Sequence, residues 1–368
     1  MKAKRRYFVF GLFYNLFATV LFSHWCVYPI EAQDIIISEA DLIQRMNEVD
    51  PNILAAKLRI QEAEGKVKSA RAGYFPSLEL QALESIPGSF AGSNGLGGVG
   101  GVMGSPYHTG FSAGVTATFT IFDFGRTLNA SREADAAREG ADLQSKITRI
   151  ERLERALNIF YNTIKFRELG ILWVQKGKEL SQVAREVGRY IATGQKSVVD
   201  RYLIRSRVEE VEREKIEFNN RYNSGLEIIG ELLDMKSEKL SLVSLAQLYT
   251  SGDMPKIEAW RSPYVLFMQA KKRAAEYSLK RAQAGHMPEV RAYGSAGYME
   301  GARLVPKENW GAGVAFALPL FEGFRVQGEV SAANSKVARV QKELDGAEKS
   351  MRATNIRLKK KLRRRANI

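Results

Sequence analysis

The chain of 368 residues is long enough for two or three ordinary domains or for one elongated architecture. Its net charge is +14, but the first 32 residues carry +3 and the segment from Lys349 onward carries +9, which leaves only +2 for the rest and disfavours a nucleic-acid-binding groove. The only cysteine, Cys26, falls in a predicted leader, which excludes disulfides and cysteine-ligated metals from the processed chain.

The N-terminal segment has the features of a secretory signal peptide. Basic residues at positions 2, 4, 5 and 6 precede an apolar stretch at Tyr7–Phe22, and Ala32 is a small residue before a cleavage site at Gln33. Residues 1–32 are therefore predicted to be removed. No later stretch reaches the ~18 apolar residues of a membrane-spanning helix, so insertion into a membrane would have to use strands.

A helical region is predicted after the leader. Ser38 and Asp41 have the spacing of a capping box, which marks the start of a first helix. Pro51 suits the first turn of the next helix, for which Gly73 is the predicted C-cap. Pro76 prevents this alanine-rich helix from continuing.

Two strands follow, joined by a loop rich in glycine and serine. Leu78 and Leu80 alternate with polar residues in the first, and apolar residues alternate with small ones over Phe111–Phe122 in the second. The second alternation has the length and pattern of a membrane-spanning strand, although a soluble sandwich is the alternative for one strand alone. The loop contains a GxGxxG match at Gly95–Gly100, but a dinucleotide site requires a following helix, and a strand follows here.

An antiparallel pair of long helices is predicted next. The first runs from about Thr127 to Arg189 with apolar residues at heptad spacing. Gly194 lies in the turn that reverses the chain, and the second helix ends near Gly230–Asp234. A soluble coiled-coil stalk is the alternative for this hairpin considered alone.

The same order of elements is predicted a second time. Pro263 corresponds to Pro51 at an offset of 212 residues, and Trp310–Arg325 corresponds to Phe111–Arg126 at an offset of 199. The offset changes because the loop between the strands is shorter in the second copy, as an exposed loop tolerates. The predicted organisation is a tandem repeat, with repeat 1 at 33–234, a linker at 235–262 and repeat 2 at 263–368.

Each repeat has one strand with a strongly apolar face, and we predict that this face contacts membrane lipid. Its members in the first repeat are Phe111, Val115, Phe119 and Ile121, and in the second Trp310, Val314, Phe316, Leu318 and Leu320.

The chain resembles the TolC family of bacterial outer-membrane channels over nearly all of residues 36–350. The resemblance rests on the alanine-rich helix that ends at Pro76 and its counterpart that ends at Pro288, on the strand-to-helix segments Ile121–Arg126 and Leu320–Arg325, and on the turn Gly194–Asp200. It implies an α+β membrane protein that forms a homotrimer. Each protomer would give four β-strands to one 12-stranded barrel and its long antiparallel coiled-coil helices to a periplasmic tunnel.

The resemblance also implies a function and its sites. The channel would serve a tripartite efflux pump or type I secretion system, with a periplasmic adaptor protein and an inner-membrane transporter as partners, and without enzymatic activity or cofactor. Two groups of residues acquire expected roles. Strand-to-helix elbows are expected at Asp123, Gly125 and Arg126 and at Glu322, Gly323 and Arg325, and adaptor docking at Gly194, Ser197 and Asp200.

The sequence departs from the family in its second half. An offset of 199 from Gly194 places the second helical turn near position 393, beyond Ile368. We therefore expect the second repeat to be incomplete, without its returning helix and the gating residues that the family has there. A non-functional truncated channel is the alternative that this departure raises.

Two other classes of function are weaker. An enzyme would have to use His108 or His286, which have no partner at catalytic or ligand spacing. A basic-tailed periplasmic coiled-coil protein would bind nucleic acid or anionic lipid through Lys359–Arg365. Of these two ligands, nucleic acid is the less favoured, because a protein with a signal peptide leaves the cytosol.

Overall fold

A computed structural model describes residues 35–85, 110–244, 262–299 and 308–366. The predicted signal peptide, the GxGxxG match and His108 lie outside these residues. The elements in chain order are β1 (Ile35–Ile37), α1 (Glu39–Val49), α2 (Pro51–Arg71), β2 (Ser77–Ser85), β3 (Gly110–Phe122), α3 (Arg126–Ala192), α4 (Val198–Leu233), β4 (Leu240–Leu242), α5 (Pro263–Gln283), β5 (Glu289–Met299), β6 (Glu308–Ala317) and α6 (Arg325–Ala366).

The start of the helical region is as predicted, but its end is not. Ser38 and Asp41 form the capping box of α1, in which the hydroxyl of Ser38 accepts from the Asp41 amide at 3.2 Å. Gly73 is not a left-handed C-cap, because α2 passes at Ala72 into a short 3₁₀ turn. A Cβ at Gly73 would lie 2.9 Å from Cγ2 of Thr127, so this position needs glycine because α2 and α3 approach closely here.

The four long strands form one antiparallel sheet in the order β2-β3-β5-β6. One row of paired residues across it is Leu80, Val115, Ala296 and Trp310. Because directly paired residues share a face, the register brings the apolar stripes of β3 and β6 to the same side of the sheet. The alternate residues of each strand share the other side, which we call the small-residue face because on β3 and β6 most of them are small or hydroxyl-bearing.

Three residues of the predicted apolar stripe are placed differently. β6 ends at Ala317, so Leu318 and Leu320 follow the strand instead of belonging to it, and Pro319 between them has no amide proton for a ladder hydrogen bond. In β3 the pairing with β5 shifts between Thr120 and Phe122, which leaves Ile121 in an irregularity of the ladder.

The helices continue the sheet in the same lateral order. α3 packs against α2 on one side and α5 on the other, and α5 packs against α6. Each of these helices directly precedes or follows one strand, so the row α2-α3-α5-α6 matches the row β2-β3-β5-β6. The predicted hairpin is present as α3 and α4, and the 67 residues of α3 extend about 100 Å at 1.5 Å per residue.

A compact core lies near the middle of α3 and at the C-terminal end of α4. Leu42 of α1, Phe160 and Ile164 of α3 and Ile229 and Leu233 of α4 are fully buried there. β1 and β4 form a parallel pair that covers this core. Across the described ranges, no helix combines the length and hydropathy needed to cross a membrane.

Candidate functional site

The apolar face of the sheet is exposed in the single chain. Its most exposed members on β6 are Trp310, Val314 and Phe316, with exposed fractions of 84%, 65% and 67%. Leu78 and Leu80 of β2 lie on the same face and are each 74% exposed. These two leucines were not predicted to contact lipid. Their alternation with polar residues in the sequence could have indicated it.

The opposite face consists mainly of small and hydroxyl-bearing side chains. A row across it is Thr116, Ser295 and Gly311. On the next row Tyr293 lies flat over Gly313, since a Cβ added to this glycine would be 2.7 Å from the tyrosine hydroxyl oxygen. The sheet thus has one face suited to an apolar medium and one suited to water.

The first predicted elbow joins β3 to α3 through two left-handed residues. Phe124 has a φ of 51° and Gly125 a φ of 84°. Asp123 stabilises the turn, because one carboxylate oxygen accepts from the amide of Gly125 at 3.1 Å and the other from the amide of Thr127 at 2.7 Å. The carboxylate therefore satisfies amides at the start of α3 that have no partner within the helix.

The second elbow has the same backbone shape with the two residues in reverse order. Gly323 has a φ of 59° and Phe324 a φ of 65°. Glu322 binds the guanidinium of Arg325, which also donates to Glu329 at 2.7 Å. The hydrogen bond to Glu329 and the charges of both carboxylates raise the pKa of Arg325. A left-handed phenylalanine in each elbow was not predicted, since sequence reasoning assigns such positions to glycine.

A cavity of about 1000 Å³ brings parts of both elbows together. Arg126 lines it from the start of α3, and Glu322 and Arg325 line it from the second elbow. Asp123, Gly125 and Gly323 are not among its lining residues in the described part of the chain. Residues of α2, α3, α5 and α6 also line the cavity.

Glu289 is the centre of the charge cluster in this cavity. Arg291 donates to its two carboxylate oxygens, from Nε at 2.6 Å and from Nη2 at 2.7 Å. Arg126 approaches the same carboxylate at 3.5 Å and Thr120 donates to it at 3.4 Å. Two guanidinium groups therefore share one carboxylate. Glu289 and Arg291 were not predicted as site residues, because nothing in the local pattern of β5 distinguishes them.

The predicted docking residues at the end of the hairpin have a local structural role. Gly194 has a φ of 75° and forms the turn. Ser197 and Asp200 form a capping box at the start of α4, in which the Asp200 carboxylate accepts from the Ser197 amide at 3.0 Å. Exposed apolar side chains lie beside them and were not predicted. These are Val198, Val199, Tyr202 and Leu203, with exposed fractions of 54%, 72%, 67% and 63%.

His286, the second histidine considered for an enzyme, lies in the 3₁₀ turn after α5. Among the residues that the structure describes, no group of three or more histidine, aspartate or glutamate side chains is arranged to hold a metal ion.

The fold is that of TolC-like outer-membrane channels. VceC, an outer membrane protein of Vibrio cholerae, matches with a TM-score of 0.69 at 16% sequence identity, over 85% of this chain and 75% of VceC. CusC, described in connection with transmembrane channel formation, matches with a TM-score of 0.70 at 16% sequence identity, over 87% of this chain and 73% of CusC. The open-state MtrE channel of Neisseria gonorrhoeae matches with a TM-score of 0.69 at 15% sequence identity, over 88% of this chain and 74% of MtrE. Identities this low establish the fold alone.

Family membership follows from the sequence. Residues 42–234, just over half of the chain, match the family described as outer membrane efflux protein. The chain belongs to this family, and the resemblance to TolC-like channels inferred from its motifs is confirmed. No curated protein matches the chain.

Proposed function

We propose that the protein is the outer-membrane channel of a tripartite efflux pump or type I secretion system, through which small molecules or proteins leave the cell passively. The observation that carries this proposal is the two-faced sheet with β2 and β6 at its edges. An unpaired strand edge cannot be accommodated in lipid, so the sheet must close by pairing with other chains. Three protomers would supply the twelve strands of one barrel.

In this assembly the apolar face would contact lipid and the opposite face would line a water-filled lumen. The helix row would continue the barrel wall as a periplasmic tunnel, with α2 and α6 meeting the neighbouring protomers. The strands would stand in the bacterial outer membrane, and the helices would extend into the periplasm.

We further propose that the chain is a tandem repeat. Equivalent close approaches support this organisation. Gly73 faces Thr127, with a Cβ-to-Cγ2 distance of 2.9 Å, and Gly285 faces Val326, with a Cβ-to-Cγ1 distance of 3.0 Å. The two glycines are 212 positions apart and their partners 199, which are the offsets of the sequence repeat.

The end of the α3–α4 hairpin would dock a periplasmic adaptor that connects the channel to an inner-membrane transporter. Ser197 and Asp200 would hold the turn in shape, since their side chains are used in the capping box. The exposed Val199 and Leu203 would make the contact, because exposed apolar groups concentrated at one end of a molecule are typical of a protein interface.

Cysteine labelling tests the orientation of the sheet. Cys26 is the only cysteine of the sequence and lies in the predicted leader, so a single new cysteine in the processed chain can be labelled selectively. We expect Ala315→Cys, on the small-residue face, to react with a charged, membrane-impermeant thiol reagent in intact outer membranes. Val314→Cys, one position earlier and on the apolar face, should react only with a lipid-soluble reagent.

The reverse labelling pattern, or recovery of the protein as a soluble periplasmic monomer, would refute the channel. Light scattering of detergent-solubilised protein provides the matching test of the oligomer, for which we expect the mass of a trimer.

A further inference from the structure

We propose that the cavity at the junction of sheet and helices is a binding site for anionic solutes, those that carry phosphate, sulfonate or carboxylate groups. The proposal rests on the proposed channel function only in treating the anion as transported cargo. The site itself is defined by residues of one chain.

The charges that line the cavity do not balance. Five cations line it, Arg126, Arg281, Arg291, Arg325 and Lys336, against three carboxylates, Glu289, Glu322 and Glu329, which leaves two positive charges in excess. Glu133, which does not line the cavity, pairs with Arg281 at 3.1 Å, and one excess charge remains when it is counted. The cations come from α3, α5, β5 and α6.

Two of the cations have hydrogen-bonding capacity left for a ligand. Arg126 makes only long contacts, at 3.5 Å to Glu289 and 3.5 Å to the carbonyl oxygen of Ala284, and its side chain is 38% exposed. No carboxylate among the described residues lies within ion-pair distance of Lys336. A planar guanidinium with free donors is the group that proteins use most to bind phosphate and carboxylate.

Glu289 keeps the neighbouring guanidinium in place. Its side chain is only 12% exposed, whereas that of Arg291, which it binds through both oxygens, is 46% exposed. The carboxylate thus lies behind the arginine and leaves the outer side of the guanidinium facing the cavity. An entering anion would complete the charge balance of the pair Arg126 and Arg291.

The position of the cavity favours a dissolved anion over a lipid headgroup. Its strand residues Glu289, Arg291 and Ala317 belong to the small-residue face, since Glu289 and Ala317 are directly paired. Phe316, one residue before Ala317, points to the opposite, apolar face. A lipid bound along the apolar face would therefore be separated from these guanidinium groups by the sheet.

The test is a titration of purified, detergent-solubilised full-length protein with pyranine, a trisulfonated fluorescent dye, followed by anisotropy. We expect saturable binding that inorganic pyrophosphate displaces. The double variant Arg126→Gln/Arg291→Gln should weaken binding about tenfold or more, because hydrogen bonds between charged groups are lost. Arg205→Gln/Arg207→Gln removes the same charge from exposed ion pairs of α4 and should leave binding unchanged.

The variant Glu289→Gln is expected to have the opposite effect on dye binding. Removing the carboxylate that the two guanidinium groups share should tighten dye binding several-fold, a gain that misfolding cannot produce. Equal weakening by the two arginine double variants, or no gain with Glu289→Gln, would overturn the site. Displacement by anionic lysolipid but not by pyrophosphate would overturn the assignment to a solute. Because the titration needs no conduction, its failure is distinguishable from failure of the channel itself.

Discussion

Arg152 of α3 donates two hydrogen bonds to a single carboxylate oxygen of Asp50, from Nε at 3.0 Å and from Nη2 at 2.7 Å. The other oxygen of Asp50 accepts from the amides of Asn52 and Ile53 at the start of α2. Asp50 is only 2% exposed. One carboxylate therefore caps α2 and also binds the junction of α1 and α2 to α3.

Replacing Asp50 with asparagine should destabilise the protein. The change leaves Arg152 without its counter-charge in a largely buried position, which typically costs about 3 kcal/mol. The measurement is urea-induced unfolding followed by the helical circular dichroism signal. Asp142→Asn is the matched control, because it breaks an exposed ion pair with Lys146 and should change the free energy of unfolding by less than about 1 kcal/mol. Equal effects of the two substitutions would contradict the role of Asp50.

The same pair predicts a pH dependence. Burial alone would raise the pKa of Asp50, but the hydrogen bonds from Arg152 and from the two amides outweigh burial, so its pKa lies below the usual value. The stabilisation is therefore complete above the unfolded-state pKa of about 4 and is lost as the pH falls through the lower pKa of the folded state. The stability difference between wild type and Asp50→Asn should shrink over that acidic range. A constant difference would show that the charge is not involved.

Gly225 lies where α4 packs tightly against Thr163 of α3. A Cβ at this position would overlap the hydroxyl oxygen of Thr163 and lie 2.7 Å from its methyl carbon. Thr163 is 2% exposed and its hydroxyl donates to the carbonyl of Ile159, so it cannot turn away freely. Gly225→Ala should therefore lower the free energy of unfolding by about 1–3 kcal/mol through overpacking.

Two further variants identify the cause of that loss. Thr163→Ala removes the two nearest of the three Thr163 atoms that the new methyl group would meet and leaves only Cβ, at 2.9 Å, so its combination with Gly225→Ala should be less destabilising than the sum of the single changes. Gly188→Ala in the same hairpin meets nothing within 4 Å and should be neutral or stabilising, since alanine favours a helix over glycine. Strict additivity in the first pair would show that the contact with Thr163 is not the source.

The predictions from sequence succeeded where a feature is local. Period-two alternation marked β3, and heptad spacing with a glycine turn marked α3 and α4. The shared face of the apolar stripes depended on strand register, which a single strand does not contain. Gly73 was predicted as a helix cap, but it is the close approach to α3 that requires glycine there. Both situations place a glycine at a helix end, so the sequence alone does not separate them.

The candidate site was predicted less well, because it depends on which distant parts of the chain pack together. The charge cavity joins Arg126, Arg291 and Lys336, whose separation along the chain hides them from a count of charge by segment. The residues proposed for docking were those of the turn, Ser197 and Asp200, whose side chains cap α4. Exposure of Val199 and Leu203 depends on which helix faces remain unpacked, and a heptad pattern does not settle that.

The exposed apolar residues at the end of the hairpin should control adaptor binding. Val199→Ser/Leu203→Ser removes apolar surface that is 72% and 63% exposed, so stability should change little while pull-down of the adaptor weakens. Ile171→Ser/Leu172→Ser, at positions of α3 that are 56% and 58% exposed but remote in sequence from the turn, is the matched control. Loss of adaptor binding only in the control would place the docking surface elsewhere.

The contact between Tyr293 and Gly313 predicts a change in conductance. Because a Cβ at Gly313 would lie 2.7 Å from the tyrosine hydroxyl, Gly313→Val must lift the ring from the sheet into the proposed lumen and lower the single-channel conductance in planar bilayers. Tyr293→Ala in the same protein should restore conductance, since the displaced ring is then absent. Gly311→Val adds the same side chain where the nearest atom, Ser295 Oγ, is 4.0 Å from the new Cβ, and should have a smaller effect. If Gly311→Val and Gly313→Val lower conductance equally and Tyr293→Ala restores neither, added volume alone would explain the loss and the tyrosine would have no part in it.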